Sequence, residues 1–380
     1  MRIAFLIGRL QPGGAELALL GLADGLARRG HDVRVFTLFA RRAGHEMLGP
    51  APRVRYIPLA DEQSSHAPLV LVQLLAGWWR LRRWLRRDPQ DVLYSGLSIA
   101  NVIAALAVRR GDTALVWSVH AARAAVGRID PIAIRCSAAL TRRPHLGIAV
   151  GAASRDFYRA SGVAPARFEV VPNGIDAARF APDSVARAAQ RRQWGIGPDD
   201  VVVGVVARVS PVKAPERFIA AFARSAAAAP RLQGIWVGDG APDYVASLGA
   251  QVGQLGLGSR LRFVGGTLLT PAAYNGFDVF AFLSHSEGQG IALIEAMATA
   301  LPCVVATSAA PDVIGDTGLL VDGDDAPAVA AALLGLLADP VRRQRLGSAA
   351  RARVLTHFTV ERSLDRTDAL LNDAVRAARP

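Results

Sequence analysis

The sequence predicts an α/β protein built from two doubly wound, Rossmann-like domains that face each other across a cleft. The chain has 380 residues, which is long for a single domain. Short apolar, β-branched runs alternate with helical patterns along the whole chain, and continuous apolar runs of this kind are typical of parallel strands covered on both faces. The alternation starts again near residue 200, after a polar segment at 182–200.

The predicted elements follow in chain order. Strands are predicted in the first half at Ile3–Ile7, Val33–Leu38, Val54–Ile57, Val92–Tyr94, Leu115–Val119, Gly147–Val150 and Phe168–Val171. Strands are predicted in the second half at Val201–Val206, Gly234–Val237, Leu261–Val264, Val279–Leu283, Cys303–Ala306 and Gly318–Val321. Helical periodicity separates these runs, for example at Ala15–Arg29, Leu69–Arg87 and Pro215–Ala228.

Two domains follow from this order, one at 1–172 and the other at 173–358. The last segment, 359–380, has a helical pattern with no strand after it, so we expect it to pack back on the first domain. Ligands of doubly wound sheets bind beyond the carboxyl ends of the strands. Functional residues are therefore expected directly after strands.

Composition excludes several classes of protein. Hydrophobic residues make up 51% of the chain and charged residues 20%, which excludes a disordered chain. The longest apolar runs, 68–79 and 99–108, are shorter than the roughly 20 residues of a membrane-spanning helix. The first residues lack the pattern of a signal peptide and predict a strand instead. Two cysteines, Cys136 and Cys303, cannot form a disulfide framework, so we expect a reducing cytoplasm.

The charge is distributed unevenly. Residues 1–180 contain 25 basic and 13 acidic residues, whereas residues 181–380 contain 19 of each. The excess of +12 in the first half fits nucleic acid, an acidic membrane face or an anionic substrate. Among 44 basic residues only Lys213 is a lysine. Its compact charge differs from a guanidinium, although chance alone explains a single lysine equally well.

Two loops have the pattern of an anion site at a helix N-terminus. The first, Gly8–Glu16, joins a strand to a helix and matches neither a dinucleotide fingerprint nor a P-loop, so an ordinary connection remains equally open. The second, Ser284–Gly290, follows a buried strand, and its glycines Gly288 and Gly290 allow a close approach of the backbone to a ligand.

Two carboxylates flank the second loop. Glu287 lies in it, and Glu295 lies eight residues further along, where its side chain can point back toward the helix N-terminus. Carboxylates do not favour a phosphate, but they suit the hydroxyls of a sugar. The alternatives are a helix-dipole charge for Glu287 and a solvated side chain for Glu295.

Three further polar residues follow strands. Arg208 and Lys213 come after the strand at 201–206, where they can neutralise a diphosphate leaving group. His120 ends the strand at 115–119 and is a candidate for hydrogen bonding or proton transfer. Surface bases and a structural histidine are the alternatives. The acidic run Asp322–Asp325 predicts a loop and helix cap rather than a metal site.

In this order the motifs resemble glycosyltransferase family four, of the bacterial polysaccharide or lipid-linked glycan type, on the GT-B fold. The resemblance covers nearly the whole chain. It rests on Gly13-Gly14-Ala15-Glu16, Pro172-Asn173-Gly174-Ile175-Asp176, Arg208 with Lys213, Gly238-Asp239-Gly240, and the E-x7-E signature from Glu287 to Glu295. The chain departs from the family at Gln289, where phenylalanine is usual, and at Ala214 and Ala300, where glycine is common.

The resemblance implies an acceptor-binding first domain and a second domain that binds the nucleotide sugar. It implies a retaining hexosyltransferase that needs no metal, no other cofactor and no protein nucleophile. The residue roles that it implies are as follows: Gly14 approaches the donor phosphate or acceptor, His120 contacts the donor sugar, Arg208 and Lys213 hold the diphosphate, Glu287 holds a sugar hydroxyl, the amides of Gly288, Gln289, Gly290 and Ile291 meet the phosphate, and Glu295 binds the ribose.

A basic amphipathic helix lies within the first domain. In residues 74–87, one face is formed by Leu74, Trp78, Leu81 and Leu85. A second face is formed by Arg80, Arg83 and Arg87, with Arg82 and Arg86 between the two. This pattern fits an anionic membrane surface, with an ordinary sheet-covering helix as the alternative. We expect the helix to pack on the sheet and to touch a membrane with its outer side.

The sequence thus predicts transfer of a sugar from a nucleoside-diphosphate sugar to a hydroxyl of a polyprenyl-linked or polysaccharide acceptor, at the cytoplasmic face of the membrane. A sugar-nucleotide epimerase and a catalytically silent sugar-nucleotide-binding subunit are the alternatives. Binding of nucleic acid is not expected, because the basic charge is accompanied by no aromatic stacking platform.

Overall fold

The computed structural model describes residues 1–8, 14–40, 54–60, 67–109, 111, 113–122, 129–266 and 271–379. The chain divides into two compact units, Met1–Gly174 with Val360–Pro380 and Ile175–Thr359. The boundaries predicted from the sequence differ from these by one or two residues. The arrangement of the two domains across a cleft stays a prediction.

The first unit contains a parallel sheet of seven strands in the order β3-β2-β1-β4-β5-β6-β7. The strands are β1 (Arg2–Ile7), β2 (Asp32–Thr37), β3 (Arg55–Pro58), β4 (Val92–Gly96), β5 (Ala114–Val119), β6 (Leu146–Ala149) and β7 (Phe168–Val170). The helices between them are α1 (Gly14–Arg28), α2 (Ala67–Arg87), α3 (Ser98–Ala107), α4 (Ile129–Ala139) and α5 (Ala152–Ala160). Hydrophobic clusters cover both faces of this sheet.

The second unit contains a parallel sheet of six strands in the order β10-β9-β8-β11-β12-β13. The strands are β8 (Val201–Val206), β9 (Leu232–Val237), β10 (Leu261–Val264), β11 (Val279–Phe282), β12 (Cys303–Ala306) and β13 (Leu319–Val321). The helices are α6 (Ser184–Gln193), α7 (Pro215–Ala228), α8 (Pro242–Gln254), α9 (Pro271–Asn275), α10 (Ile291–Ala298), α11 (Pro311–Ile314), α12 (Ala326–Ala338) and α13 (Pro340–His357), with a single 3-10 turn at Pro211–Lys213.

The last helix, α14 (Val360–Ala378), belongs to the first unit. Its residues Leu370 and Leu371 are fully buried in the same hydrophobic cluster as the residues of β1. Ion pairs fix its outer side, with 2.7 Å between Arg29 and Asp365 and 3.0 Å between Arg167 and Asp373. The C-terminal segment therefore covers the sheet of the N-terminal unit.

All thirteen predicted strands are present, with ends that differ by two residues or fewer. No helix is predicted from the sequence in the polar segment at 182–200, but the structure contains α6 there. Asp183 caps this helix by accepting hydrogen bonds from the amides of Val185 and Ala186. Two of its arginines, Arg187 and Arg191, both bind Asp278, which directly precedes β11. Polar residues of this segment thus form a mostly buried ionic contact with the second sheet.

Helix α2 packs on the first sheet with the face that the sequence predicted. Leu81 and Leu85 are buried, and Trp78 is partly buried against the same cluster. Within the described part of the chain, no helix has both the length and the apolarity that crossing a membrane requires.

Candidate functional site

Each sheet has a point where the strand order reverses, and such switch points are the usual ligand sites of open α/β sheets. In the second unit the reversal lies between β8 and β11. The loops after these two strands are joined by a hydrogen bond from the His285 amide to the Val212 carbonyl, at 3.0 Å. They contain Arg208, Lys213 and Glu287, three of the residues predicted to function.

Lys213 and Glu287 form an ion pair, with 2.5 Å between Nζ and Oε1. Both side chains are mostly buried, at 21% and 11% exposure. Lys213 ends the 3-10 turn after β8, so its position depends on the tight turn that Pro211 begins. The structure therefore brings together two residues 74 positions apart at the switch point, one cation and one carboxylate.

The amides of the second predicted loop lie at the start of α10. Gly290 precedes the helix with a left-handed φ of 89°, and a Cβ there would lie 2.9 Å from the ring of Phe282, so glycine is required at this position. No side chain caps the helix. Its first amides have no carbonyl partner within the helix, which leaves a partial positive charge for an anion. Gly288 and Ile291 are partly exposed on either side of the buried Gln289.

Arg208 is exposed at the carboxyl end of β8. The next residue, Val209, donates its amide to the Asp239 carbonyl at 2.9 Å and forms a bridge with Gly240. A Cβ on Gly240 would lie 2.4 Å from the Val209 carbonyl oxygen, so the Gly-Asp-Gly turn needs this glycine to hold the Arg208 segment.

Glu295 is buried in α10, at 7% exposure. Burial raises its pKa to about 7, against the lowering effects of a hydrogen bond from Tyr274 and the charge of Arg179. The Tyr274 hydroxyl donates to Oε2 at 2.5 Å. The interpretation of Glu295 as a solvated surface residue is therefore wrong.

Sequence reasoning missed Arg217, which lies in the first turn of α7. Its guanidinium, 9% exposed, donates to the Leu283 carbonyl at 3.0 Å and forms a fork with the Asp324 carboxylate at 2.8 and 2.5 Å. This contact lowers the pKa of Asp324. Arg217 thus ties the end of β11 to the loop after β13, and no local spacing signals a partner 107 residues away.

The acidic run after β13 behaves as the sequence predicted. Asp325 caps α12 by accepting from the Ala328 amide at 3.0 Å, and Asp322 accepts from the Asp324 amide. In the part of the chain that the structure describes, no group of three or more histidine, cysteine or acidic residues is arranged to hold a metal ion.

The predicted site of the first unit is only partly described. The switch point of this sheet lies between β1 and β4. Residues 9–13 of the glycine-bearing loop, including Gly13, lie outside the described residues, whereas Gly14 is the exposed first residue of α1. After β4 comes Leu97, whose φ of 76° is rare for a residue other than glycine. Strained backbone of this kind tends to occur at functional sites.

His120 directly follows β5, and its Nε2 lies 2.7 Å from the Ser118 hydroxyl. Its Nδ1 is buried and has no hydrogen-bond partner among the described residues. Burial lowers the pKa of His120 to about 4, so the imidazole is neutral at physiological pH. His120 lines a cavity of about 140 Å³ together with Tyr94, Asn173 and residues of α1 and α14.

A hydrogen-bonded cluster of neutral side chains surrounds this histidine. Ser118 also shares a hydrogen bond with Tyr94, whose pKa burial raises to about 12. The Ser118 carbonyl accepts from Asn101 at 3.2 Å, and Asn101 in turn accepts from Ser95 at 2.7 Å. The described cluster around His120 therefore presents polar but uncharged side chains, whereas the second unit presents an ion pair, an exposed arginine and a buried carboxylate.

A parallel-sheet switch point with cations, carboxylates and an open helix N-terminus defines a protein that binds a phosphorylated, hydroxyl-rich ligand. Two family profiles match the sequence. "Glycosyltransferase Family 4" matches residues 12–179, and "Glycosyl transferases group 1" matches residues 186–353. The chain belongs to glycosyltransferase family 4 and has the GT-B fold. It is a glycosyltransferase that uses a nucleotide sugar.

Relatives support this membership along the whole chain. A D-inositol 3-phosphate glycosyltransferase of Kineococcus radiotolerans is 31% identical, over 90% of this chain and 86% of the relative. A GDP-mannose-dependent alpha-(1-6)-phosphatidylinositol monomannoside mannosyltransferase of Mycolicibacterium smegmatis is 30% identical, over 83% and 87%. The solved structure of Anabaena HepE in complex with UDP-glucose is 24% identical, with a TM-score of 0.83 over 98% of this chain and all of HepE, and shows the same fold.

Proposed function

We propose that the protein is a retaining glycosyltransferase that moves a sugar from a nucleoside-diphosphate sugar to a hydroxyl of a lipid-linked or polysaccharide acceptor. The transfer takes place at the cytoplasmic face of the cell membrane. The observation that carries the proposal is the Lys213–Glu287 pair at the switch point of the second sheet, at 2.5 Å and mostly buried. It places a cation for phosphate directly beside a carboxylate for hydroxyls.

The charges suit a diphosphate that leaves with its electrons. As the bond between the sugar C1 and the phosphate oxygen breaks, negative charge grows on the diphosphate. Arg208, Lys213 and the first amides of α10 provide the positive groups that stabilise this charge. The side-chain groups and amides are the protein's own, so the proposal requires no metal ion.

The reaction balances without a protein nucleophile. The acceptor hydroxyl attacks C1 on the face that the diphosphate leaves, and its proton passes to a phosphate oxygen. The products are the glycoside, with its anomeric configuration retained, and the nucleoside diphosphate. His120, neutral and held by Ser118, fits a hydrogen-bonding role toward the sugar better than that of a general acid.

The acceptor in this proposal carries a phosphate. The net charge of +12 in residues 1–180 favours an anionic substrate for the first unit. The two curated relatives above are named for acceptors that contain a phosphorylated inositol. A polyprenyl diphosphate carrying a glycan is likewise anionic and adds an apolar chain.

The outer side of α2 provides the membrane contact in this proposal. Leu71, Val72, Leu75 and Trp79 are 53–60% exposed, and we name these four residues, with Arg83 and Arg86, the α2 outer face. Arg83 lies over the Trp79 ring at 5.2 Å. Exposed apolar groups beside arginines suit an anionic lipid surface, to which each nearby arginine contributes about 1 kcal/mol.

Donor binding and transfer test the proposed activity. Thermal-shift assays with UDP, GDP and ADP should show that one of the three nucleotides stabilises the protein. At a concentration 100 times its dissociation constant, this nucleotide should add roughly 2.7 kcal/mol of stability. NMR of the product made from the matching sugar donor should show an unchanged anomeric configuration. An inverted product contradicts retention, and the absence of stabilisation by all three nucleotides contradicts the donor site.

Sedimentation with vesicles tests the membrane contact. The protein should sediment at physiological salt with phosphatidylglycerol vesicles but not with phosphatidylcholine vesicles. The double variant Leu75→Ser, Trp79→Ser should stay in solution. Leu355→Ser is the matched control, since Leu355 is 49% exposed on α13 in the second unit. Equal sedimentation of all three proteins contradicts the proposal that the α2 outer face binds the membrane.

A further inference from the structure

The hydrogen bond between Tyr274 and Glu295 joins α9 to α10, two elements of the second unit that no sequence pattern connects. Tyr274 lies in α9 and is fully buried, and its hydroxyl donates to Glu295 Oε2 at 2.5 Å. A buried carboxylate is costly unless hydrogen bonds compensate it. Tyr274 supplies that compensation from a group without charge.

The Tyr274 ring is held firmly. Phe180, Phe277 and Phe280 surround it, with ring centroids 5.8, 6.3 and 5.8 Å away. The neighbouring residue Asn275 fixes α9, because its Oδ1 accepts from the Asp183 amide at 2.7 Å. The hydroxyl therefore meets Glu295 in one orientation and fixes the carboxylate plane.

We propose that Tyr274 is a positioning residue for donor binding. By occupying Oε2 of Glu295, it turns Oε1 toward the ribose hydroxyls of the nucleotide. The inference rests on the proposed function, in which Glu295 binds the ribose. Two hydroxyls of a ribose are natural donors to a carboxylate oxygen that has two lone pairs.

Few charges face this carboxylate. Arg179 acts on it from the segment before α6, and Tyr274 acts from α9. Cys303 of β12 lies near Tyr274, and burial raises the pKa of its thiol, so it stays uncharged. Arg351 of α13 donates to the Ala298 carbonyl at the far end of α10. Removal of the Tyr274 hydroxyl therefore removes one of two groups that lower the pKa of Glu295.

The expected consequence is a shift in the pH dependence of nucleotide binding. The ionised carboxylate accepts ribose hydroxyls, so the affinity of the wild type falls as the pH drops below about 7. In Tyr274→Phe the pKa of Glu295 rises further, and the same fall begins at a higher pH. A merely structural role of Tyr274 lowers affinity equally at every pH.

Calorimetric titration of UDP and GDP at pH 6.5, 7.5 and 8.5 tests this. Tyr274→Phe should bind about tenfold more weakly than wild type at pH 6.5, and the ratio should shrink toward pH 8.5. Tyr244→Phe is the matched control, because it removes a hydroxyl that donates to an exposed carboxylate, that of Glu216, at 2.5 Å. A ratio that does not change with pH overturns the proposal.

A second measurement needs no nucleotide. The raised pKa of Glu295 makes the folded state bind a proton that the unfolded state releases, so stability falls as the pH rises from about 4.5 to about 7. In Tyr274→Phe this fall should continue to higher pH, and in Tyr274→Phe, Glu295→Gln it should vanish. Identical melting profiles of Tyr274→Phe and wild type across pH 6–9 overturn the proposal. If the wild type binds none of UDP, GDP and ADP, the proposed function fails, and this measurement still decides whether Tyr274 controls Glu295.

Discussion

The two units place opposite kinds of chemistry after the strands of similar sheets. In the first, His120 belongs to a neutral cluster with Ser118 and Tyr94. In the second, Lys213 pairs with Glu287 and Arg217 with Asp324, all around the ends of β8, β11 and β13. Yet the excess of positive charge in the sequence lies in the first half of the chain.

This difference shows that net charge and site charge are separate properties. Most described arginines of the first unit lie on helices or at their ends, as Arg83 and Arg86 do on α2, and several are held in surface ion pairs such as Arg29–Asp365 and Arg167–Asp373. The second half is neutral overall, yet it places the Lys213–Glu287 and Arg217–Asp324 pairs at the carboxyl ends of its strands. A leaving diphosphate needs charge within contact distance, whereas an acceptor hydroxyl needs only neutral hydrogen-bonding groups.

The largest expected effect comes from breaking the ion pair of the second unit. Lys213→Ala removes the cation and leaves Glu287 without its partner, so kcat/KM should fall by about 10²–10³-fold. Glu287→Gln keeps the shape of the side chain but removes its charge, and its kcat/KM should also fall strongly. Steady-state kinetics measures both. Arg231→Ala is the control, because Arg231 pairs with Asp199 in solvent at the amino end of β9. Full activity of Lys213→Ala refutes the proposal that Lys213, at the carboxyl edge of the second sheet, stabilises the leaving diphosphate.

The next largest effect is on the pH dependence of stability, and it concerns His120 in the first unit. The pKa of His120 is about 4 when folded and 6.5 when unfolded, so stability is fully present above pH 6.5 and is lost as the pH falls toward 4. The loss is at most about 3 kcal/mol. His120→Asn should flatten this acid limb in thermal melts. Glu295→Gln should steepen this limb rather than flatten it, because the Glu295 contribution has the opposite sign and increases stability as the pH falls from about 7 to about 4.5. An unchanged acid limb in His120→Asn contradicts a buried neutral histidine.

The sequence predicted some of these features and not others, for a physical reason. Strand ends are local, so the thirteen strands and the positions of His120, Lys213 and Glu295 after or near them followed from periodicity and spacing. The partners of Glu295 and Asp324 did not follow, because Tyr274 is 21 residues and Arg217 107 residues away. Likewise, the way α2 packs on the sheet determines which of its apolar residues stay exposed. Only the structure shows that Leu75 and Trp79 are among them.

A smaller effect tests how the backbone of each switch point is held. Leu97 follows β4 and Ala214 follows β8, both with left-handed φ, as has Ala300 after α10. The two alanines are the positions where the family commonly has glycine. Ala300→Gly should raise the free energy of unfolding by about 0.5–1 kcal/mol. Ala214→Gly should gain less, because the methyl group of Ala214 is buried.

Denaturant titration measures these small changes. The matched control is Ala229→Gly, since Ala229 has a φ of −129° and gains nothing from glycine. We expect this control to lose stability. If all three variants lose stability equally, the left-handed conformations cost nothing and the departures from glycine have no energetic consequence.

The last prediction is that removal of metal ions has no effect on activity. It tests which groups supply the positive charge that neutralises the diphosphate. In the proposed function, Arg208, Lys213 and the amides of α10 neutralise the diphosphate, so the second unit itself supplies the charge. Transfer activity should then be the same with and without EDTA, at fixed ionic strength. If EDTA abolishes transfer and Mg²⁺ restores it, a cation provides the charge. The contrast between the units would then describe only how each one holds its own side chains, and the Lys213–Glu287 pair would position the sugar rather than the leaving group.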